Sequence, residues 1–335
     1  MSKLVSASMG VTYANSIKNT SSLVKETMYR QLNRNKKKKS LLLKLSIILV
    51  ILLSGTLCYG FYQYKKGIQL VQHNTNKKTI KFNSTKLPNK TNILLLGEDA
   101  RKKGESSRTD SIMILQYNKK HETKLVSIMR DSYVSIRGYG KHKINAAYSF
   151  GGVELLRQTI EQNFGIEIEY YAIIDFKGFE KVIDEIAPKG ITINVEKPMV
   201  SHIEVSLQPG VQHLNGKELL GYARFRHDAK GDFDRVVRQQ KVLEAIKSQV
   251  LTFKGIESLP KTLGVIQPYI QTNMSTMDLL KISSDYIVKG KDKDVETLRI
   301  PVNNAFTPKR FEKAGEVLEI DIEKNKEVLE LFLNY

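Results

Sequence analysis

The sequence contains a single cysteine, Cys58, among its 335 residues. The long stretch after Cys58 therefore has no disulfide of its own and no thiol nucleophile. Three further signatures are absent: a G-x-x-x-x-G-K-[ST] loop, a G-x-S-x-G turn, and any H-x-x-x-H or Cys/His pattern among the six histidines. These absences argue against a P-loop nucleotidase, a serine hydrolase and a zinc enzyme.

The N-terminal segment has the composition of a membrane anchor. Residues 1–40 are polar and basic, end in a run of lysines, and are interpreted as a cytoplasmic tail. Residues 41–64 are apolar with Lys44 as their only charge, and about 20 such residues cross the hydrocarbon as a helix. Because basic flanks stay in the cytoplasm, we expect a single-pass type II protein of the cell membrane whose remaining residues are extracellular. A cleaved signal peptide is the alternative, but its apolar region is usually shorter.

The charge of the chain favours anionic partners. The formal net charge is +18, and residues 1–40 hold nine Lys/Arg and one Glu, so the rest of the chain carries +10. A basic domain beside a membrane attracts lipid head groups, phosphate polymers or nucleic acid. The expected extracellular location excludes nucleic acid from these.

Residues 65–90 are polar and lack a sustained period, which is typical of a stalk, and residues 91–335 form the predicted folded domain. The run ILLLG after Asn92 predicts a strand buried on both faces, and the apolar runs around 118–121 predict a hairpin. Alternating strands and helices predict an α/β sandwich with a central mixed β-sheet flanked by helices. The other predicted elements are a helix at 151–164 ended by Gly165, a strand at 170–175, helices at 176–186, 214–225 and 234–251, and three helices and one strand in the last eighty residues.

Two carboxylates near the first predicted strands form a candidate metal site. Asp99 follows the first strand and Asp110 opens the next, so they converge at one edge of the sheet if those strands are neighbours. Mg²⁺ is usually held by one or two carboxylates together with water and substrate phosphates. The alternative is that both residues merely cap loops, as Asp often does.

Arginines accompany these carboxylates. Arg101 and Arg108 lie in the same loop, and Arg130, followed by Asp131, ends the third predicted strand. Guanidinium groups bind phosphate oxygens in a bidentate manner, and open α/β sheets bind ligands at strand ends. Taken singly, such arginines are usually solvated.

A second basic cluster lies further along the chain. Arg235 and Arg238 share a face if their segment is helical, and Arg224 and Arg226 share a side if theirs is extended. Four cations within fifteen residues suit a pyrophosphate, and Gln239 follows them. An Arg/Asp salt-bridge lattice on a surface helix is an equal alternative.

Together these segments resemble the LytR-CpsA-Psr family over about residues 92–246. The motifs that carry the resemblance, in order, are LLLGEDAR, SRTDSIMI, VSIMRDS, KINAAY, LQPGVQHLNGKELLGYARFRH and GDFDRVVRQQ. The resemblance implies a type II membrane phosphotransferase that moves an anionic glycopolymer, such as wall teichoic acid or capsule, from polyprenyl pyrophosphate to peptidoglycan. It also implies a hydrophobic tunnel for the prenyl chain.

The resemblance assigns roles to individual residues. Asp99 and Asp110 would bind Mg²⁺, with Mn²⁺ as the alternative ion. The residues expected to act on the pyrophosphate are Arg108, Arg130, Arg224, Arg226 and Arg238. Those expected to bind substrate are Arg101, Lys143, Arg235 and Gln239. Of these, Arg235 is expected to act together with Asp234 by holding the arginine cluster in place.

The expected reaction is in-line attack of a sugar hydroxyl on the sugar-linked phosphorus, with polyprenyl phosphate leaving. Positioning and charge neutralisation are the main requirements of phosphoryl transfer. Asp131 and Asp234 are candidate general bases, and that role stays open. Two alternative functions remain: a non-catalytic regulator or binder of polyprenyl pyrophosphate lipids, and a lipid pyrophosphatase that uses water as acceptor.

Overall fold

The computed structural model describes residues 54, 58–66, 80–99, 108–118, 121–201, 203–227, 231–250, 253–289 and 294–333. The predicted tail and most of the predicted transmembrane segment 41–64 lie outside these residues. Within the described residues, no helix combines the length and apolar character needed to cross a membrane. The chain divides into two compact units, 1–62 and 63–335, and the elements below belong to the second.

The described elements alternate between strands and helices. In chain order they are β1 (Lys90–Asp99), β2 (Arg108–Asn118), β3 (Thr123–Ile128), β4 (Ser132–Ile136), β5 (Gly140–Lys143), α1 (Ile144–Phe164), β6 (Tyr170–Asp175), α2 (Phe176–Ile186), β7 (Ile191–Val195), β8 (Gly210–Leu214), α3 (Gly216–Arg224), α4 (Asp232–Val250), α5 (Phe253–Ile266), a 3₁₀ turn (Gln267–Tyr269), β9 (Ile270–Thr272), α6 (Thr276–Lys289), β10 (Val295–Ile300), β11 (Phe306–Phe311), β12 (Gly315–Ile320) and α7 (Ile322–Leu333).

The centre of the domain is a six-stranded mixed sheet in the order β10-β3-β2-β1-β6-β9. β1 runs parallel to β6 and β10 runs parallel to β3, while the other pairs are antiparallel. A second sheet, β11-β12-β4-β5, and a hairpin of β7 and β8 complete the strands. The predicted α/β sandwich with a central mixed sheet is therefore confirmed.

The two faces of the central sheet have different surroundings. Successive side chains of a strand point to opposite faces. On one face, Leu94, Leu96 and Ile114 are buried in the core that α1 and α7 complete. On the other face, Leu95 and Ile174 line a cavity bounded by α2, α3 and α4. The apolar run predicted to be buried on both faces thus has core on one face and an apolar cavity on the other.

Helices α2 and α3 pack closely over this cavity. Each begins at a side-chain cap: Asp175 accepts a hydrogen bond from the backbone of Gly178, and Asn215 forms a reciprocal capping box with Glu218. At Gly216, a Cβ atom would lie 2.1 Å from the carbonyl oxygen of Glu180, so only glycine fits. The close approach fixes the position of α3.

We therefore expect Gly216→Ala to lower the free energy of unfolding by about 2 kcal/mol, because the new methyl group collides with rigid backbone. Lys217→Ala, an exposed change on the same helix, is the control and should alter stability by less than about 0.5 kcal/mol. Urea unfolding followed by circular dichroism measures both. Equal stability of the two variants would contradict the close packing.

Most of the predicted elements are confirmed, with three differences. Strands β4, β5, β7 and β8 were not predicted. The helix predicted at 151–164 begins at Ile144 instead, because Gly151 and Gly152 kink a longer helix that ends, as expected, at Gly165. The last eighty residues hold four strands where one was predicted. The missed strands are β9, which has three residues, and the pair β11 and β12, in which β11 is an edge strand that contains Pro308. Pro is tolerated only at such edges, and it weakens the strand signal.

Candidate active site

The cavity between the central sheet and the helices has a volume of about 1650 Å³ and two chemically distinct parts. Its apolar part is lined by residues of the strands β1, β2 and β6 and of the helices α2, α3 and α4. These include Leu95, Met113, Ala172, Ile174, Phe179, Val182, Ile186, Leu220, Val242, Leu243 and Ile246. Its polar part lies where β1 ends and β2 begins, and most of the predicted site residues lie there.

Strand pairing brings the predicted metal carboxylates to one edge of the sheet. β1 and β2 are antiparallel neighbours, with Asp99 opposite Arg108 and an irregularity between Gly97 and Glu98. The end of β1 therefore meets the start of β2, and Asp99 and Asp110 both line the cavity. The condition on which the sequence argument depended, that these strands be neighbours, is met.

Arg130 is at the centre of the charged cluster. Its Nη1 donates to Asp110 Oδ1 at 2.5 Å and its Nε donates to Asp232 Oδ2 at 3.1 Å, while Asp131 Oδ2 lies 3.6 Å from Nε. Burial alone would lower the pKa of Arg130, but the three carboxylates outweigh it and raise that pKa above its ordinary value. Arg130 is thus a fixed cation held between three carboxylates.

Arg235 joins the same cluster from α4. Its Nη2 donates to Asp232 Oδ2 at 2.9 Å, and the residue lines the cavity although it is only 5% exposed. Burial and the nearby charge of Arg130 lower the pKa of Arg235, against the opposing effect of Asp232. An arginine still stays charged at any physiological pH.

The Nε atom of Arg235 is buried without a hydrogen-bond partner among the described residues. An unsatisfied donor on a buried cation is costly, by about 1–3 kcal/mol or more. Arg235 lines the cavity beside Arg130, so the positive charge of the two guanidinium groups favours an anion in the polar part.

Lys143 approaches the cluster from the end of β5. Its Nζ lies 2.7 Å from Asp131 Oδ1, and both residues line the cavity. Asp131 is therefore held between Lys143 and Arg130. Both carboxylate oxygens of Asp131 are thus paired with cations.

The second predicted cluster is only partly as expected. Arg224 is the last residue of α3, not part of an extended segment, and its guanidinium lies 4.3 Å from the ring centroid of Phe176. Arg226 follows it and is exposed. Arg224, Arg226 and Gln239 all line the cavity. The structure thus brings this cluster and the Arg130 cluster to one site.

Arg238 contacts the segment that carries Arg224 and Arg226. Its Nη2 donates to the backbone carbonyl of Phe225 at 2.6 Å, and its guanidinium lies 5.3 Å from the Phe225 ring. As predicted, Arg235 and Arg238 share the buried face of α4. The expected action of Arg238 on the pyrophosphate stays a prediction.

Two predicted residues cannot be compared with the geometry. Arg101 lies outside the described residues. Arg108 opens β2 and pairs with Asp99 along the strands, but its side chain is not among those described. Their roles stay predictions.

Two further contacts at the site were not predicted from the sequence. Asp232 bridges Arg130 and Arg235, which lie 105 positions apart, and only the fold brings them together. Glu98 lines the cavity and shares a hydrogen bond with Tyr148, whose pKa is raised by burial first and by Glu98 second. The motifs GEDAR and INAAY contain both residues, so the signal was present without a reason to pair them.

The donor set at the edge of the sheet fits a hard divalent cation. Asp99 and Asp110 supply two carboxylates on one cavity wall, and Mg²⁺ takes its remaining ligands from water and substrate phosphates. Among the described residues there is no group of three or more His, Cys, Asp or Glu arranged to hold a metal. A bound cation would therefore depend on water and substrate oxygens to complete its coordination.

The structure is thus an α/β domain with an apolar cavity that opens onto an arginine–aspartate cluster. The model of the LytR_cpsA_psr family matches residues 57–331. The chain therefore belongs to the LytR-CpsA-Psr family.

Similar proteins are found by sequence and by structure. "Regulatory protein MsrR" of Staphylococcus aureus (strain COL) is 45% identical over 281 residues, covering 82% of this chain and 85% of that protein. The "polyisoprenyl-teichoic acid–peptidoglycan teichoic acid transferase TagU" of Bacillus subtilis (strain 168) is 32% identical, covering 78% and 87%. The solved structure "TagT bound to LIIa-WTA" matches with a TM-score of 0.60 at 26% identity, covering 79% of this chain and 98% of that one.

Proposed function

We propose that this protein is a phosphotransferase that moves an anionic glycopolymer from polyprenyl pyrophosphate to peptidoglycan. TagU, a relative at 32% identity, is named for such a transfer, and TagT was solved with LIIa-WTA bound. The proposal includes the membrane topology expected from the sequence, with the domain on the extracellular side. The extracellular side of the membrane is where the proposed lipid-linked donor and the peptidoglycan acceptor would both be found.

The observation that carries this proposal is the union of two environments in one cavity. Small-molecule pockets usually measure about 300–1,000 Å³, and the cavity of about 1650 Å³ exceeds that range. Its apolar part suits a prenyl chain, and its polar part, lined by Arg130, Arg224 and Arg235, suits a pyrophosphate. A lipid pyrophosphate needs both environments at once.

The chemistry that follows is an in-line displacement. A sugar hydroxyl of peptidoglycan attacks the sugar-linked phosphorus, the bond to the bridging oxygen breaks, and polyprenyl phosphate leaves. Arg130 and Arg235 would hold the pyrophosphate and balance the charge that develops in the transition state, while Arg224 and Arg226 would contact the same group from the end of α3. Asp232 orients the first two, and Arg238 orients the segment of the other two.

We further propose that Asp99 and Asp110 hold Mg²⁺, or Mn²⁺, with the pyrophosphate. Such an ion supplies Lewis-acid stabilisation of phosphate charge. Asp110 also accepts a hydrogen bond from Arg130. This one carboxylate would therefore fix the position of the ion relative to the guanidinium group.

We expect EDTA to reduce transfer by about 100-fold, because the pyrophosphate charge is then left without its divalent counter-ion. Either Mg²⁺ or Mn²⁺ should restore activity. At 100 times its Kd, Mg²⁺ should also stabilise the folded protein by about 2.7 kcal/mol, and Asp99→Asn and Asp110→Asn should abolish that shift. Glu316→Gln, at an exposed carboxylate, is the control. Full activity in EDTA with no Mg²⁺-dependent shift in Tm would contradict the metal site.

A regulatory function is the second candidate, because MsrR is named as a regulatory protein. A non-catalytic binder would need the cavity but not the metal carboxylates. Loss of Asp99 would therefore leave a binder functional and a transferase inactive.

The test is direct. The purified full chain in detergent micelles is given Mg²⁺, a polyprenyl-pyrophosphate-linked glycan and peptidoglycan fragments, and mass spectrometry follows glycan joined to the fragment. Wild type should form joined product, and Asp99→Ala and Arg224→Ala should not. Tight donor binding without product in the wild type would favour the binder.

A further inference from the structure

A pair of exposed aromatic rings lies beside the polar part of the cavity. Tyr139 and Phe150 are stacked, with ring centroids 4.5 Å apart and planes 15° apart, and they are 48% and 40% exposed. His142 meets Phe150 edge-on, with centroids 5.3 Å apart. We call these three residues the aromatic rim. Large apolar groups clustered on a surface often mark a binding site.

The backbone that presents the rim depends on glycine. Tyr139 sits in the β4–β5 turn between Gly138 and Gly140, whose φ values of 82° and 76° lie in the left-handed region that glycine adopts readily. Phe150 immediately precedes the kink of α1 at Gly151 and Gly152. The chain thus turns sharply beside each ring. The rim projects from these turns in place of packing into the core.

The rim is continuous with the cavity. Phe150 and His142 line it together with Lys143 and Asn145 at the polar part. In the proposed function, the apolar part holds the prenyl chain and the arginine cluster holds the pyrophosphate. The acceptor must reach the phosphorus from the solvent side. The rim lies along part of the solvent-facing edge of the cavity.

We propose that the aromatic rim binds the acceptor glycan of peptidoglycan, by stacking a sugar ring on Tyr139 near the hydroxyl that is attacked. The inference rests on the proposed function and adds an acceptor subsite to it. Sugar rings present faces of C–H groups with partial positive charge, and the faces of aromatic rings carry partial negative charge. Because Phe150 covers one face of Tyr139, the opposite face and the edge remain for the sugar.

The chemistry of the aromatic rim suits a glycan better than it suits a lipid surface. Two of the three rings carry polar groups, the Tyr139 hydroxyl and the His142 imidazole, and Lys143 and Asn145 add hydrogen-bonding groups alongside. A sugar offers both a C–H face and a border of hydroxyls. A hydrocarbon surface would leave these polar groups unpaired.

The test measures separate KM values for acceptor and donor with the full chain in detergent micelles. Tyr139→Ser should raise KM for glycan-strand fragments about fivefold, the effect of one lost aromatic contact, with KM for the lipid donor within about twofold of wild type. Tyr139→Trp, which keeps a ring, should restore the acceptor KM. Phe311→Ser is the matched control, because it breaks a stacked pair with Tyr133 that does not line the cavity.

Two kinetic results would overturn the subsite: an unchanged acceptor KM in Tyr139→Ser, or an equal rise in the donor KM, which would indicate that the rim contacts lipid. If wild type forms no joined product, the proposed function fails and the rim is judged by binding alone. Saturation-transfer NMR with glycan fragments then decides. Weaker contact in Tyr139→Ser supports the subsite, and equal contact overturns it.

Discussion

Arg130→Met is expected to lower the rate of transfer by about 100- to 1,000-fold, the loss typical when one preorganised charge donor is removed from a transition state. Arg130 contacts Asp110, Asp131 and Asp232, so no other side chain among those described can replace it at the centre of the cluster. Arg130→Lys should lose nearly as much, because an ammonium group lacks the planar fork that spans these carboxylates.

Arg130→Met should also lower the free energy of unfolding by about 3 kcal/mol, because removing the cation leaves partly buried carboxylates facing one another. Circular dichroism and thermal unfolding therefore accompany the kinetics, which are measured well below Tm. Arg310→Met removes a cation at an exposed position and serves as the control. A folded Arg130→Met protein that transfers glycan within threefold of wild type would contradict the role of the cluster.

Ala172→Trp is expected to reduce transfer from a full-length polyprenyl donor by about 100-fold. Ala172 lies on β6 with its side chain on the cavity face of the central sheet. An indole at this position would displace about four methylene groups of a bound chain, which costs about 3 kcal/mol of burial.

The length of the donor distinguishes a blocked cavity from general damage. A donor with two isoprene units should lose less than about tenfold, because it reaches less of the apolar part and so loses less buried area. Val211→Trp places the same bulk at an exposed position and should leave both donors unaffected. Equal losses for the long and the short donor would argue that the prenyl chain does not occupy this cavity.

Local signals in the sequence account for much of the fold. The apolar run of β1, the hairpin of β2 and β3, and the C-cap at Gly165 follow from periodicity and glycine placement, and each is present. The strands β11 and β12 were missed because they are held in a second sheet, in which β12 pairs with β11 and with the distant β4. Such long-range pairing leaves only a weak trace in a short, largely polar strand.

The site was predictable in composition but not in detail. Strand ends that carry Asp99, Asp110 and Arg130 indicated one edge of the sheet, and the fold brings them there. The sequence did not indicate which arginine lines the cavity and which one supports the neighbouring backbone. Arg235 faces the cavity and Arg238 supports Phe225, although both lie on the buried face of α4. The surroundings of Arg235 include Asp110 and Arg130, which are distant from it in sequence.

The apolar cavity was likewise invisible to a pattern of hydrophobic residues. Leu95 and Ile174 line the cavity, while Leu94 and Ile173, their neighbours in sequence, belong to the core. The cavity-lining residues and the core residues both predict a buried strand, because an apolar cavity and a protein core are lined by the same types of side chain.

The most direct measurement of the central claim compares two products in one reaction. Polyprenyl phosphate released and glycan joined to peptidoglycan fragments are both quantified while the acceptor concentration is raised from zero. If the protein is a transferase, almost no polyprenyl phosphate is released without acceptor. When acceptor is present, one glycan is joined for each polyprenyl phosphate released. Release that proceeds at full rate without acceptor, with no joined glycan, would identify a pyrophosphatase and contradict the transfer function.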